Sequence, residues 1–336
     1  IESEFAGTSD GDINGLRLRH AYIQLTNSKV QLLFGQFFHP FWVTECAPAI
    51  VGAAVGAPII SDSRFPQFRI TTTGDTKIFG ALITERDNGS FGPNPPTTAN
   101  IQTPFLRNDL IPIIDIGLQQ TSGNMIFGGG VDFKSLKPRN AVSWVTSNNQ
   151  IVNTTVNDRA VGISANLYYT VKTPNITFKS EAIFGQNLSD FLLLGGYGES
   201  AIDSTTGKFT YTPMNAVSGW IELSGKKNAF EWGVFAGYIT NLGLKDALVS
   251  KGAVYQQGTL ANVMNVLRIA PRVGLRSGKM FMGIELEITS VQRARGLASG
   301  ETTLTALLPI TTATGTLVNV DQSTNTRVLY SVIYSF

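Results

Sequence analysis

A strict alternation of apolar and polar side chains, recurring through most of the chain, sets the strongest limit on its fold. Residues 279–290 read KMFMGIELEITS, placing Met280, Met282, Ile284, Leu286 and Ile288 on one face and Gly283, Glu285, Glu287 and Thr289 on the other. Residues 266–277 (VLRIAPRVGLRS) set Leu267, Ile269, Pro271, Val273 and Leu275 against Arg268, Ala270, Arg272, Gly274 and Arg276. A period of two over this length belongs to β-strands with one apolar and one polar face. Ser277-Gly278 between them supplies a two-residue turn, which places Arg268 opposite Glu287.

The unit repeats. Segments 16–25 and 29–38 flank Thr26-Asn27-Ser28, and 67–72 and 77–85 flank Thr73-Gly74-Asp75. Segments 111–119 and 125–135 flank residues 121–124; 160–171 and 175–187 flank Thr173-Pro174; 215–224 and 229–240 flank residues 225–228. With 266–277 and 279–290 these make six hairpins with tight turns. The connections between hairpins are long: roughly 40–66, 86–109, 136–158, 188–214, 241–265 and 293–324. Short turns at one end and long loops at the other are the plan of a transmembrane antiparallel β-barrel.

Composition agrees with that plan and removes its rivals. Only 15% of the 336 residues are Asp, Glu, Lys or Arg, against about 25% in an average soluble domain. Mean hydropathy is +0.07. The longest apolar stretch, 47–60 (APAIVGAAVGAPII), contains two prolines and falls short of the ~20 residues a spanning helix needs. A net charge of +2 argues against binding nucleic acid. The single cysteine, Cys46, precludes an internal disulfide framework. The chain opens on Ile1 without Met, so its numbering is expected to start after processing or inside a longer chain.

The terminal segment Arg327 to Phe336 (RVLYSVIYSF) sets Val328, Tyr330, Val332, Tyr334 and Phe336 on one face. It resembles the C-terminal signal of bacterial outer-membrane proteins, whose aromatic rings lie at the membrane edge. Parity requires an even strand number. One strand before the six hairpins, ending near Ile1–Phe5, and one after them give fourteen. A further pair in 191–211 (FLLLGGYG, KFTYT) would give sixteen. The expectation is one barrel domain over residues 1–336, of 14–16 strands, with short periplasmic turns and long extracellular loops.

With the apolar faces toward lipid, the polar faces form a lumen lined by Lys179, Glu181, Arg268, Arg272, Arg276, Glu285 and Glu287, with Glu222, Glu231, Asp132, Lys134 and Arg69 among them. Such residues either pair across the wall, at about 0.2–1 kcal/mol each, or filter solutes by charge. The loop 40–66 is too apolar to be solvated. It either folds into the barrel, against its wall or as a constriction, or meets a neighbouring subunit.

The order RLRHAY (17–22), LLFGQFF (32–38), a Pro/Gly-rich loop and PQFR (66–69) resembles the DcaP-like porins. The resemblance covers about seventy residues and the terminal strand. It implies a trimeric, sixteen-stranded outer-membrane channel for small, mostly anionic solutes, with Arg17, Arg19 and Arg69 on the pore wall. The family's GQ is usually followed by Thr-Trp; here Phe37-Phe38 stand there.

Catalytic and metal motifs carry little weight. Asp10-Gly11-Asp12-Ile13-Asn14-Gly15 imitates half a calcium loop, but Ala21 occupies the position of the bidentate acid. His39 lies near Glu45 and Cys46 in sequence only, and His20 is the other histidine. The Gly128–Gly130 and Gly195–Gly198 runs lack phosphate-loop spacing. The expectation is a porin of the bacterial cell outer membrane, not an enzyme, passing small polar or anionic solutes passively without a cofactor or nucleic-acid partner. The alternative is a structural or accessory envelope subunit with no open pore.

Overall fold

A computed structural model describes residues 1–9, 12–52, 56–84, 109–145, 148–249, 254–256, 260, 262–294 and 320–334, with side chains described at 1–4 and from 15 onward. All six hairpins form. They are β2 (Asp12–Thr26) with β3 (Val30–Phe38), β4 (Arg64–Thr72) with β5 (Thr76–Ile83), and β6 (Ile113–Ser122) with β7 (Met125–Leu136). After the small separate hairpin β8 (Ala141–Val145) and β9 (Ile151–Thr155) come β10 (Ala160–Lys172) with β11 (Ile176–Gln186), and β13 (Phe209–Lys227) with β14 (Phe230–Leu244). The last is β16 (Val263–Ser277) with β17 (Met280–Ala294). They are flanked by β1 (Glu2–Ser9) and β18 (Val320–Tyr334), and the ladders run antiparallel in chain order from β1 to β18.

Fourteen strands follow one another along this wall, and β12 (Tyr197–Ile202) and β15 (Val254–Tyr255) join the sheet beside β13 to make sixteen. The KFTYT segment is thus the start of β13, and the YG of FLLLGGYG opens β12 at Tyr197; its FLLL part is not a strand, Phe191 closing the buried 3-10 turn Leu188–Phe191 and residues 192–194 following as turn and bend. β1 is longer than expected and pairs Gly7 with Gly15 and Ser9 with Asp12, so the calcium-like motif is extended from Asp12 onward; Asp10 and Gly11 lie outside the described residues. So does Phe336.

The two faces sort as the alternation requires. Leu167, Phe184, Ile221, Val273, Ile284 and Val328 point outward and are exposed, whereas Asn166, Glu181, Glu222 and Glu285 on the same strands are buried inside. The wall curls until the loop leaving β3 touches β17 and β18, with Gly52 against the side chains of Glu285 and Leu329. An antiparallel barrel wall satisfies backbone groups between strands rather than against solvent.

The turns explain one shift of register. Ser277 pairs with Met280, so the two-residue turn is Gly278-Lys279, one position later than the sequence suggests. Arg268 therefore lies opposite Thr289 and meets Glu287 diagonally, at 3.6 Å. Gly278 has φ +58, a left-handed conformation that costs a residue with a Cβ about 1–2 kcal/mol. Gly278→Ala should lower stability by about that amount, read as a shift of the urea midpoint. Gly80→Ala, whose Cβ would meet nothing closer than a carbonyl oxygen at 4.0 Å, is the comparison and should leave the midpoint near that of the parent.

Candidate functional site

The described residues between β3 and β4, 39–52 and 56–63, leave the rim and run inside the wall. The neck is closed by the His39 N–H donating to the Ser63 carbonyl at 3.0 Å. Phe41, Cys46, Ile59 and Ile60 are buried in one cluster with Ile183, Trp220, Phe235 and Ile239 of the wall. This explains the apolar run 47–60. Ile59 and Ile60 are core and Ile50 packs against it partly buried; burying such a side chain fully is worth about 1.5–3 kcal/mol. The loop thus folds into its own barrel, against the wall.

An inward loop carries backbone donors and acceptors that must be satisfied away from solvent. The charged wall does this. The Lys179 ammonium donates to the Ala47 carbonyl. The Glu222 carboxylate accepts the Ala49 N–H at 2.9 Å, and Glu285 accepts Val51 N–H at 2.9 Å and Gly52 N–H at 3.3 Å. Glu181 instead accepts from Asn166 Nδ2 at 3.0 Å and Trp220 Nε1 at 3.2 Å, beneath the loop. Lys179, Glu222 and Glu285 hold the loop in place, and their placement gives the loop a defined path from β11 round to β17.

The arginines fall into two groups. Arg272 is nearly buried and pairs with Glu222. Arg268 is also buried, its Nε donating to Thr289 at 3.0 Å. Arg276, near the tight turn, is 46% exposed and pairs with Glu231. Arg327 on β18 forks onto Glu287 at 2.9 and 3.0 Å and is 47% exposed. Glu287 thus faces two guanidiniums, while Glu222, Glu285 and Glu287 are no more than 5% exposed. On this stretch of wall Glu222, Glu285 and Glu287 are withdrawn together with Arg268 and Arg272, and the heads of Arg276 and Arg327 remain in water, Arg276 beside the partly exposed Glu231. A cavity of about 540 Å³ lies here, bounded by Ala49, Val51, Lys172, Glu231, Arg272 and Arg276.

The other residues expected on the wall lie elsewhere. Arg17 and Arg19 both pair with Glu4, and Arg19 Nε is 2.8 Å from Glu2. Arg69 donates to Gln67 Oε1 at 2.9 Å and to the Phe38 carbonyl, at the neck of the loop. Arg327 escaped the sequence reading, although its position opposite in parity to Val328 and Tyr330 marks it as inward. The Lys77–Glu45 pair, 3.3 Å, joins β5 to the loop and had no local signal at all.

The histidines and cysteine do not form a nucleophilic site. His20 accepts from Arg64 Nε at 3.2 Å and lies 3.0 Å from Glu2. The Cys46 thiol is 1% exposed and donates to the Ser180 carbonyl at 3.3 Å, the environment of an inert packed thiol. Gly128 gives room to a phenol: a Cβ there would lie 2.5 Å from the Tyr168 hydroxyl, which donates to Gln119 at 3.1 Å.

No protein-family model matches the chain, and no curated protein does. Among solved structures it is similar to the outer membrane channel DcaP of Acinetobacter baumannii, at 14% identity and a TM-score of 0.64, covering 99% of this chain and 79% of that one. It is also similar to OmpT of Vibrio cholerae, at 7% identity and a TM-score of 0.53, over 95% and 82% of the two chains. An anion-selective porin from Comamonas acidovorans aligns at 9% identity and a TM-score of 0.50, over 97% and 81%. These likenesses show the β-barrel fold.

Proposed function

We propose that this chain is an outer-membrane porin that lets small anionic solutes diffuse passively through its lumen. The carrying observation is the asymmetry on β16–β18. Glu285 and Glu287 there are buried and bonded to the loop or to arginines, while the heads of Arg276 and Arg327 remain about half exposed. Coulomb forces from buried carboxylates are balanced at contact distance; those from exposed guanidiniums reach into the water of a narrow lumen. Net charge over the chain, +2, is too small to produce this effect, so selectivity is local. The inward loop would set the bore. The likeness to an anion-selective porin supports the same reading, as does the resemblance in residues 17–38 and 66–69, which also implies a homotrimer.

Single-channel recording in planar lipid bilayers tests it. The folded protein should conduct, with a reversal potential in a salt gradient displaced toward anion preference. Changing Arg276 and Arg327 together to glutamine should move that potential toward cation preference by leaving Glu231 and Glu287 under-compensated. Absence of any current would favour the alternative, a closed structural subunit whose lumen the loop and its wall contacts fill. The assembly is read from the particle mass in detergent, where a trimer is expected.

A further inference from the structure

At the base of the inward loop, three potential metal ligands converge. Asp115 on β6 and Asp132 on β7 stand directly opposite each other in the ladder. Both are 0% exposed, as is His39 at the loop neck. One ligand atom from each of the three lies within 4.8 Å of the others. All four carboxylate oxygens lack a hydrogen-bond donor, and so does His39 Nε2, which is 3.4 Å from Asp132 Oδ2.

That arrangement is expensive as it stands. Like charges directly opposite on a ladder repel, and a buried carboxylate without a partner loses its hydration with nothing in return. The neighbouring cations are engaged elsewhere. Lys134, two residues along β7, pairs with Asp190 and donates to the Asn187 carbonyl at 2.8 Å. Arg69 directs donors to Gln67 and the Phe38 carbonyl. The other acids of the inner wall, Glu222, Glu285 and Glu287, each have donors. Among the described residues, Asp115 and Asp132 are the carboxylates with both oxygens buried and unpartnered.

We propose that Asp115, Asp132 and His39 bind a divalent metal ion of the Mn²⁺ or Zn²⁺ class, which fastens the neck of the inward loop to β6 and β7. Two hard carboxylates with one imidazole suit such an ion better than an all-oxygen calcium shell or a thiolate site. The carboxylates are the principal ligands. His39 Nδ1 accepts the Phe41 N–H at 3.2 Å, so ligation through Nε2 requires the ring proton to move to Nδ1 and that contact to be given up. His39 therefore contributes least. With all three side chains closed to solvent, the ion enters as the barrel folds and stays, as in structural sites whose binding is coupled to folding.

The test is metal content of the full chain, folded in detergent in the presence of MnCl2 or ZnCl2 and desalted. About one ion per chain is expected by mass spectrometry of the elements, and bound Mn²⁺ should give an electron paramagnetic resonance spectrum distinct from the hexaaqua ion. Asp115→Asn and Asp132→Asn should each reduce occupancy at least ~10-fold, and His39→Gln by less. Asp203→Asn, on an exposed turn, should retain the ion. A wild-type protein that folds without retaining either metal overturns the proposal, whatever the variants do. So does retention of full occupancy by Asp132→Asn. Metal-free wild type together with an Asp115→Asn variant of higher thermal stability would assign the pair to a shared proton instead.

Discussion

Replacing Glu222 by alanine is expected to cost about 3–5 kcal/mol and to loosen the inward loop. Glu222 is fully buried on β13 and serves two partners from different parts of the chain: the Ala49 N–H of the loop, at 2.9 Å, and the Arg272 guanidinium of β16. Its removal leaves a buried cation uncompensated and a backbone donor unsatisfied, so the desolvation cost of both is felt in full. Unfolding in urea, followed by tryptophan fluorescence, measures the stability loss. In bilayers the same variant should show larger or noisier current steps, because Ala49 and the residues beside it are no longer held to the wall. Glu222→Gln keeps an acceptor for Ala49 and should lose less. A Glu222→Ala midpoint equal to that of the parent would mean that Arg272 finds water or another partner, and that the loop is held by its apolar contacts alone.

The second large effect lies on the opposite face. Leu286 is outward and 37% exposed, between the inward Glu285 and Glu287 on β17. Under the proposed reading its side chain sits in hydrocarbon, where an arginine near the bilayer midplane costs about 2–4 kcal/mol. Leu286→Arg should lower folding stability in lipid vesicles by that amount, while leaving conductance per open channel unchanged. An effect near zero would put this face in water and remove the membrane-spanning reading of the wall. The pair of experiments separates the two faces: one perturbs the lumen side and changes current, the other perturbs the outside and does not.

Much of the wall was legible because a strand has a period of two and a hairpin has a tight turn. The alternation in 266–277 and 279–290 placed Arg268, Arg272, Glu285 and Glu287 on one face, and that face is the inner one. Turn chemistry was legible to within a residue: Gly278 was recognised, but its left-handed backbone sits at the first turn position, which displaced the ladder and put Thr289 opposite Arg268. The leucine-rich start of 191–211 is not a strand, since a short apolar run fits a buried turn as well: residues 192–194 follow the 3-10 turn Leu188–Phe191, and the strand begins only at Tyr197.

Burial of the inner face had no signature in the alternation. Glu222 and Glu285 look like pore-lining acids until a loop from the far side of the barrel arrives to bond with them. Sequence by itself determined the class of fold, the six hairpins of the wall and which side chains share a face, since these depend on neighbours two positions apart and on turn residues; the small hairpin β8–β9 lies in what reads as a loop. Only the tertiary structure decided which inward charges meet water. It placed residues 39–52 and 56–63 against the inner wall, bonded Glu222 and Glu285 to them, left Arg276 and Arg327 about half exposed, and gathered His39, Asp115 and Asp132 into one buried cluster. The reason is separation along the chain. Contacts between a loop and strands more than a hundred residues away depend on how the whole sheet curls, and no local period records that curvature.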